Sequence, residues 1–448
     1  MTSQTEHRAP VTSLPPGPRL PMMVQTILFG RYRHWLMPRL RRAYGDTFLV
    51  RIAPQSRKLV MIADTDDIRR VFAGDPTTFH AGEGNEILGP LMGPHSVLLL
   101  DEGDHLTIRK QLMPAFNGAA LRGYRDLVAD ITREQLAGWP VGIERPLHPL
   151  TQALTLEVIC QVVFGVTDEQ RLARMRPLVD RVVSVNPLVL FGSFYPKLRA
   201  YGPWRRHLEA QERLDDLLYA EIAERRTAPG LADRSDVLSR LLSNADNELS
   251  DEELRDQLIT LLLAGHETTA TSLAWTLHEL AREPETLAKA QAAADSGDDD
   301  YLEAVAKEAL RLHPVIYEVA RKLTVPTEVG GYLLPAGATV MPGIGLVQSD
   351  PAHYPDPERF SPERFIGEHP ATNTWIPFGG GGRRCLGAGF SLMESVVVLR
   401  EVLTRYDVTT SRPRREPAKA RNITLTPKRG ARVRLQPRQL LITGADPT

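Results

Sequence analysis

Ser250, with Glu253 three residues on, forms the capping box of a helix whose periodicity runs to about Arg282, where Pro284 stops it. At the α-helical rise such an element spans about 50 Å, enough to cross a domain of this size. Everything else must pack around it. From about residue 100 to 320 the pattern is mainly helical. Strand-like alternation is confined to short stretches, at 48–52 and 59–62 around a Pro-Gln-Ser turn, and at 330–334 and 338–341 around Pro335-Ala336-Gly337. The expected fold class is therefore mainly α with small β-sheets (α+β).

Length alone, at 448 residues, suggests about three domains. No repeat and no separating linker supports that division, and the motifs below span 105 to 387 and point to one site. We expect a proline-rich segment at 1–20, one domain at 21–437 and a tail at 438–448. Asp298-Asp299-Asp300 reads as a solvated loop. A formal net charge of -1 offers no global attraction to nucleic acid or anionic membrane, so any basic partner surface must be local. No run reaches the roughly 20 apolar residues of a transmembrane helix, and residues 1–10 lack a secretory pattern. Cys160 lies in an apolar run and Cys385 in a glycine-rich one, which argues against a disulfide and for a reducing cytoplasm.

Cys385 is the second anchor. It sits in Phe378-Gly379-Gly380-Gly381-Gly382-Arg383-Arg384-Cys385-Leu386-Gly387, just before the helical pattern Leu392, Val396, Leu399, Leu403. A helix N-terminus with Arg383 and Arg384 favours thiolate over thiol, and the glycines would let a flat ring approach. The segment resembles the haem-binding loop of the cytochrome P-450 superfamily, matching Phe-Gly-x-Gly-x-Arg-x-Cys-x-Gly at every fixed position. Three further segments resemble the same family in the same order. Ala264-Gly265-His266-Glu267-Thr268 resembles its oxygen-binding segment, and Ala264, Gly265 and Thr268 share one helix face. Glu308 and Arg311 match Glu-x-x-Arg, with Arg364 rather than Arg359 as the partner from a later Pro-Glu-Arg-Phe. His105 and Arg109 resemble the family's His-x-x-x-Arg.

The resemblance implies a single-domain cytochrome P-450 fold with the long helix over haem b and Cys385 as axial metal ligand. A thiolate in that position promotes O–O cleavage. It implies that Thr268 and Glu267 deliver protons, that Ala264, Gly265, Phe378 and Gly387 lie against the cofactor, and that His105, Arg109, Arg321 and Arg383 meet its propionates. Glu308, Arg311 and Arg364 would support the loop. Monooxygenation of a lipophilic small molecule follows, with O2 as co-substrate. NAD(P)H electrons would arrive from a separate ferredoxin- or flavodoxin-type donor and its reductase, docked by basic residues such as Arg384 and Lys110. By the same analogy the pocket draws on Ile87, Leu88, Leu91, Met92, Leu188, Leu190, Phe191, Leu261, Val315, Ile316 and Val319. A peroxide-using peroxygenase and a non-catalytic haem-thiolate sensor are the alternatives; Glu267-Thr268 weighs against both. A soluble bacterial-type monomer, without membrane anchor or nucleic-acid partner, is expected.

Overall fold

The computed structural model describes residues 14–438 apart from 55, 166–168, 184–196, 198–200, 244–248, 368–369 and 413. Its organising element is the helix Asp251–Arg282, 32 residues long. The Ser250 side chain accepts from the Glu253 N–H, and the Glu253 carboxylate accepts from the Ser250 N–H at 2.9 Å, which closes the capping box. Pro284 opens the next helix. Between Leu254 and Leu280 the central helix is buried on nearly every face, because helices His148–Phe164, Asp299–Leu312 and Ala388–Arg405 all pack against it.

Cys160 is a free, buried thiol within His148–Phe164, pushed up to about 12 by burial and hence inert at neutral pH. Farther along the central helix Trp275, almost fully buried, stacks on His313 with ring centroids 3.9 Å apart. His313 Nε2 lies 2.8 Å from Glu279 Oε1. Burial alone would raise the Glu279 carboxyl, but the His313 bond with Arg415 and Arg282 nearby overrides it and holds the group at about 2.

The larger sheet has five strands. Thr47–Ile52 pairs antiparallel with Arg57–Ile62, in the register Thr47 to Ile62. Arg57–Ile62 pairs parallel with Thr339–Pro342, followed by Arg321–Leu323 and Phe79–His80. The stretches on either side of Pro335-Ala336-Gly337 thus belong to different sheets, since Tyr332–Leu334 pairs with Thr327–Val329 instead. The acidic run departs from expectation. Asp298 caps the helix Asp299–Leu312 through bonds from the Asp300 and Tyr301 N–H groups, so the carboxylates meet the positive end of a helix rather than forming a free loop. Among the described residues no helix is long and apolar enough to cross a membrane.

Candidate active site

One stripe of the central helix is left open. Between Leu254 and Leu280 the only residues not buried are Leu261, Ala264, Gly265 and Thr268. Their spacing of i, i+3, i+4 and i+7 is a single helix face. Thr268 Oγ1 donates to the Ala264 carbonyl at 2.6 Å, the back-bond that can bend a helix, although the helix continues unbroken through this point. Gly265 has a packing reason of its own. A Cβ there would lie 2.7 Å from Ile159 Cδ1 of the neighbouring helix.

The next residue along, Thr269, bonds Ser391 Oγ at 3.2 Å and so joins the central helix to Ala388–Arg405, which follows the cysteine loop. Cys385 N–H donates to Phe378 O at 2.9 Å and closes that loop on itself. Gly379 and Gly381 take positive φ values of 67° and 65°. At Gly381 a Cβ would fall 1.8 Å from the Phe72 carbonyl oxygen, and at Gly380 2.3 Å from the Phe72 ring, so these two glycines serve the contact with helix Thr65–Ala73. Gly379, Gly382 and Gly387 face open space, which leaves room for a ring to approach.

The Cys385 side chain is exposed, yet burial is the largest influence on its thiol and pushes it up. Both hold if the sulfur lines a deep hollow. The Gly387 N–H, Arg109 and Arg384 pull the other way, and a metal cation would complete the stabilisation of a thiolate. Arg383, expected beside the sulfur, instead reaches Asp101 Oδ1 at 2.5 Å and the Leu100 carbonyl at 2.6 Å.

Arg383 belongs to a cationic cluster. His105 is buried on helix Glu102–Leu112 and is held at about 4 by burial and by Arg383, Arg109 and Arg321. Arg321 is 6% exposed and is pushed down to about 10 by burial and by Arg383. It donates to Ala320 O at 2.8 Å and lies over the Phe72 ring, with no ion pair among the described residues. Arg109 donates to the Arg384 carbonyl at 2.8 Å. Of the three guanidinium groups only Arg383 makes an ion pair among the described residues, with Asp101. Such a surplus fits a ligand bearing two carboxylates. With the open thiol, the free space at three glycines and the open helix stripe, these residues fit a haem.

On another side the charges balance. Arg311 makes two bonds to Glu308, at 2.7 and 2.9 Å, and both side chains are fully buried. Arg311 also donates to the Gln348 and Arg359 carbonyls, and Glu308 accepts from the Ser361 N–H at 2.9 Å. Arg364 approaches Glu308 at 3.5 Å, whereas Arg359 contributes only its backbone.

These observations agree with what the chain resembles. It matches the Cytochrome P450 family model over residues 14–434. The chain belongs to the cytochrome P450 family. A Mycobacterium tuberculosis protein named cytochrome P450 135A1 is 48% identical over 435 residues, covering 96% of this chain and 97% of that protein. A Mycobacterium bovis protein named cytochrome P450 135B1 is 45% identical over 432 residues, covering 94% and 91%. Among solved structures, the retinoic acid-bound cyanobacterial CYP120A1 superposes with a TM-score of 0.84 at 25% identity, covering 96% of this chain and all of the other. The fold expected from sequence, a P450 fold of helices with small sheets, is the fold found. Haem, O2 and monooxygenase chemistry come with the family in general.

Other expected site residues are distributed differently. Glu267 turns away from Thr268: its carboxylate accepts from Gln152 Nε2 at 2.6 Å and Arg421 Nη1 at 3.2 Å, with His148 at 4.0 Å. Burial raises its pKa. Neither Gln152 nor Arg421 carries a sequence signal, since each comes from a distant element. Of the expected pocket residues, Leu88, Leu91, Met92 and Val315 are packed away, the first three into the main core. Ile87 faces outward, while Leu261, Ile316 and Val319 are half open. Leu188, Leu190 and Phe191 lie outside the described residues.

Proposed function

We propose that this P450 inserts an oxygen atom from O2 into a lipophilic small molecule, using two electrons from NAD(P)H that arrive through a separate ferredoxin- or flavodoxin-type protein and its reductase. The observation that carries this reading is the open stripe Leu261, Ala264, Gly265 and Thr268 on an otherwise buried helix, tied through Thr269 to the helix behind Cys385. Its lining is apolar except for one hydroxyl. That suits a substrate held by shape and apolar contact, with a single polar group near the reacting atoms.

Bound haem would supply the O–O cleavage and oxygen insertion. Cys385 would hold the iron, and His105, Arg109, Arg321 and Arg383 would take the two carboxylates, relieving the mutual repulsion of the three guanidinium groups. Ala264, Gly265, Phe378 and Gly387 would leave space for the ring. Thr268 holds its own proton on the Ala264 carbonyl, which leaves the hydroxyl oxygen free to accept from the hollow. Glu267 supplies protons to that hydroxyl only by leaving Arg421 and Gln152, or through water. Burial raises its pKa, which favours the protonated form that a proton donor needs. Arg384 and Lys110 are exposed and would form part of the electron donor's docking surface. Glu308, Arg311 and Arg364 would hold the loop without entering the chemistry. The protein would work as a cytoplasmic monomer.

The test is turnover of a panel of lipophilic compounds chosen by spin-state shift, with a surrogate ferredoxin, its reductase and NADPH. Product that requires both electrons and O2 supports the proposal. Product from hydrogen peroxide alone, with none under electron supply, would establish a peroxygenase instead, and haem loading without product in either arm would leave a binding protein.

A further inference from the structure

The first turns of the helix Met22–Tyr44 face the wrong way round for a protein surface, with polar Gln25 and Thr26 turned inward, whereas farther along Leu36, Met37 and Leu40 are buried in the ordinary way. Gln25, 4% exposed, accepts from the Arg51 N–H at 2.9 Å and donates to Leu20 O at 2.8 Å, and Thr26 Oγ1 accepts from the Ala53 N–H at 2.9 Å. Those bonds dock the first part of the helix on the Thr47–Ile52 strand. They leave Leu20, Val24 and Ile27 pointing outward, 44%, 40% and 58% exposed, with Met23 beside them at 54%. An apolar face of this kind on a water-soluble surface marks an interaction site.

The stripe continues with charge. After Leu20, Val24 and Ile27 the same spacing of three or four reaches Arg31, Trp35, Arg39 and Arg42, all exposed, across a bend at Tyr32. Arg39 stacks over the Trp35 ring at 4.0 Å. Arg31, Arg39 and Arg42 make no ion pair among the described residues. From 14 to 45 the chain contains six arginines and no aspartate or glutamate. Arg33 pairs with Glu318 and Arg41 with Asp46 and Asp350, so the local excess rests on Arg19, Arg31, Arg39 and Arg42. The Arg57–Glu86 ion pair ties the turn carrying exposed Ile87 to the same hairpin.

We propose that this face is a peripheral docking site for an anionic lipid bilayer, with Leu20, Met23, Val24 and Ile27 entering the headgroup boundary and the arginines meeting lipid phosphates. Apolar residues, an interfacial tryptophan and unpaired arginines on one helix are the combination that binds such a surface without spanning it. Residues 1–13, MTSQTEHRAPVTS, contain no apolar run of the kind that would suit this face. A second copy would bring the same positive charge against itself. An acidic protein would match the arginines but leave Leu20 to Ile27 without an apolar partner. The site is separate from the haem chemistry, and either reading can fail without the other.

The test is co-sedimentation of the full-length, haem-loaded protein with vesicles of phosphatidylcholine, with and without an equal share of phosphatidylglycerol. We expect binding to the anionic vesicles, little to the neutral ones, and release by salt. Val24→Asp with Ile27→Asp should cut binding by about tenfold or more, and Arg31→Glu with Arg39→Glu by at least about fivefold. All four side chains are exposed, so melting temperature and haem content should stay unchanged. Failure to bind anionic vesicles at low salt would overturn the proposal, as would equal binding to both vesicle types. Concentration-dependent dimerisation abolished by Ile27→Asp, in a protein that ignores vesicles, would overturn it in favour of a second copy.

Discussion

Two charged clusters flank the cysteine loop, and they are built on opposite terms. Around Glu308 and Arg311 every charge is answered within the protein, by the carboxylate, by the Gln348 and Arg359 carbonyls and by the Ser361 N–H. Around His105, Arg109, Arg321 and Arg383 the only ion pair among the described residues is that of Arg383 with Asp101, and Arg321 is buried without one. The first arrangement is complete in itself and belongs to the architecture. The second is complete only with an anionic ligand. Residue type does not separate them, since both are rich in arginine; the balance of charge does.

Breaking the balanced cluster should have the largest effect. Glu308→Ala strands Arg311 in a dry interior, and chemical unfolding should show a loss of about 3–5 kcal/mol, with little folded protein recovered. The unbalanced cluster should respond in the opposite sense. Arg321→Met removes a repelled, buried cation, so haem-free protein should melt at the same temperature or higher, while its retention of haem should weaken by about tenfold or more. If Arg321→Met and Glu308→Ala both destabilise the haem-free protein equally, the distinction between the clusters is wrong.

Acid should sharpen the contrast, because His105 sits inside the unbalanced cluster. His105 is held at about 4 when folded, against an ordinary 6.5. The unfolded chain therefore binds the proton first, and the stability gained by keeping His105 neutral is present above pH 6.5 and lost as pH falls from there toward 4. His105→Gln should reduce the slope of haem-free stability across that window by up to about 1.4 kcal/mol per pH unit. His148, His266 and His278, buried elsewhere and also held at about 4, should supply most of the remaining slope. The smallest change should come from Arg364→Ala, at about 1 kcal/mol by the same unfolding measurement, because its 3.5 Å approach to Glu308 is partly exposed and Arg311 already satisfies the carboxylate.

Much of this was legible in the sequence where a local pattern carries its own geometry. The Ser250 and Glu253 box and the stop before Pro284 follow from spacing along one segment, while the choice of Arg364 rather than Arg359 beside Glu308 comes from the family resemblance. Legibility ended where partners come from distant parts of the chain. Nothing local says that Phe72 will require glycine at 380 and 381, or that Arg421 and Gln152 will draw Glu267 away from Thr268. Leu88, Leu91 and Met92 are as apolar as any pocket residue, and only packing decides that they join the core. Leu261 and Ala264 are no more polar than their neighbours, yet the fold leaves their face open.

The central claim is that the open thiol and the unbalanced cations together hold a haem through Cys385. Its most direct test is the difference spectrum of the purified protein, reduced under carbon monoxide, beside that of Cys385→His. A strongly red-shifted Soret band in the native chain, lost in the variant while haem is still retained by the cationic cluster, is the expected result. An unshifted band in the native chain, or the same band in both proteins, would contradict thiolate ligation by Cys385.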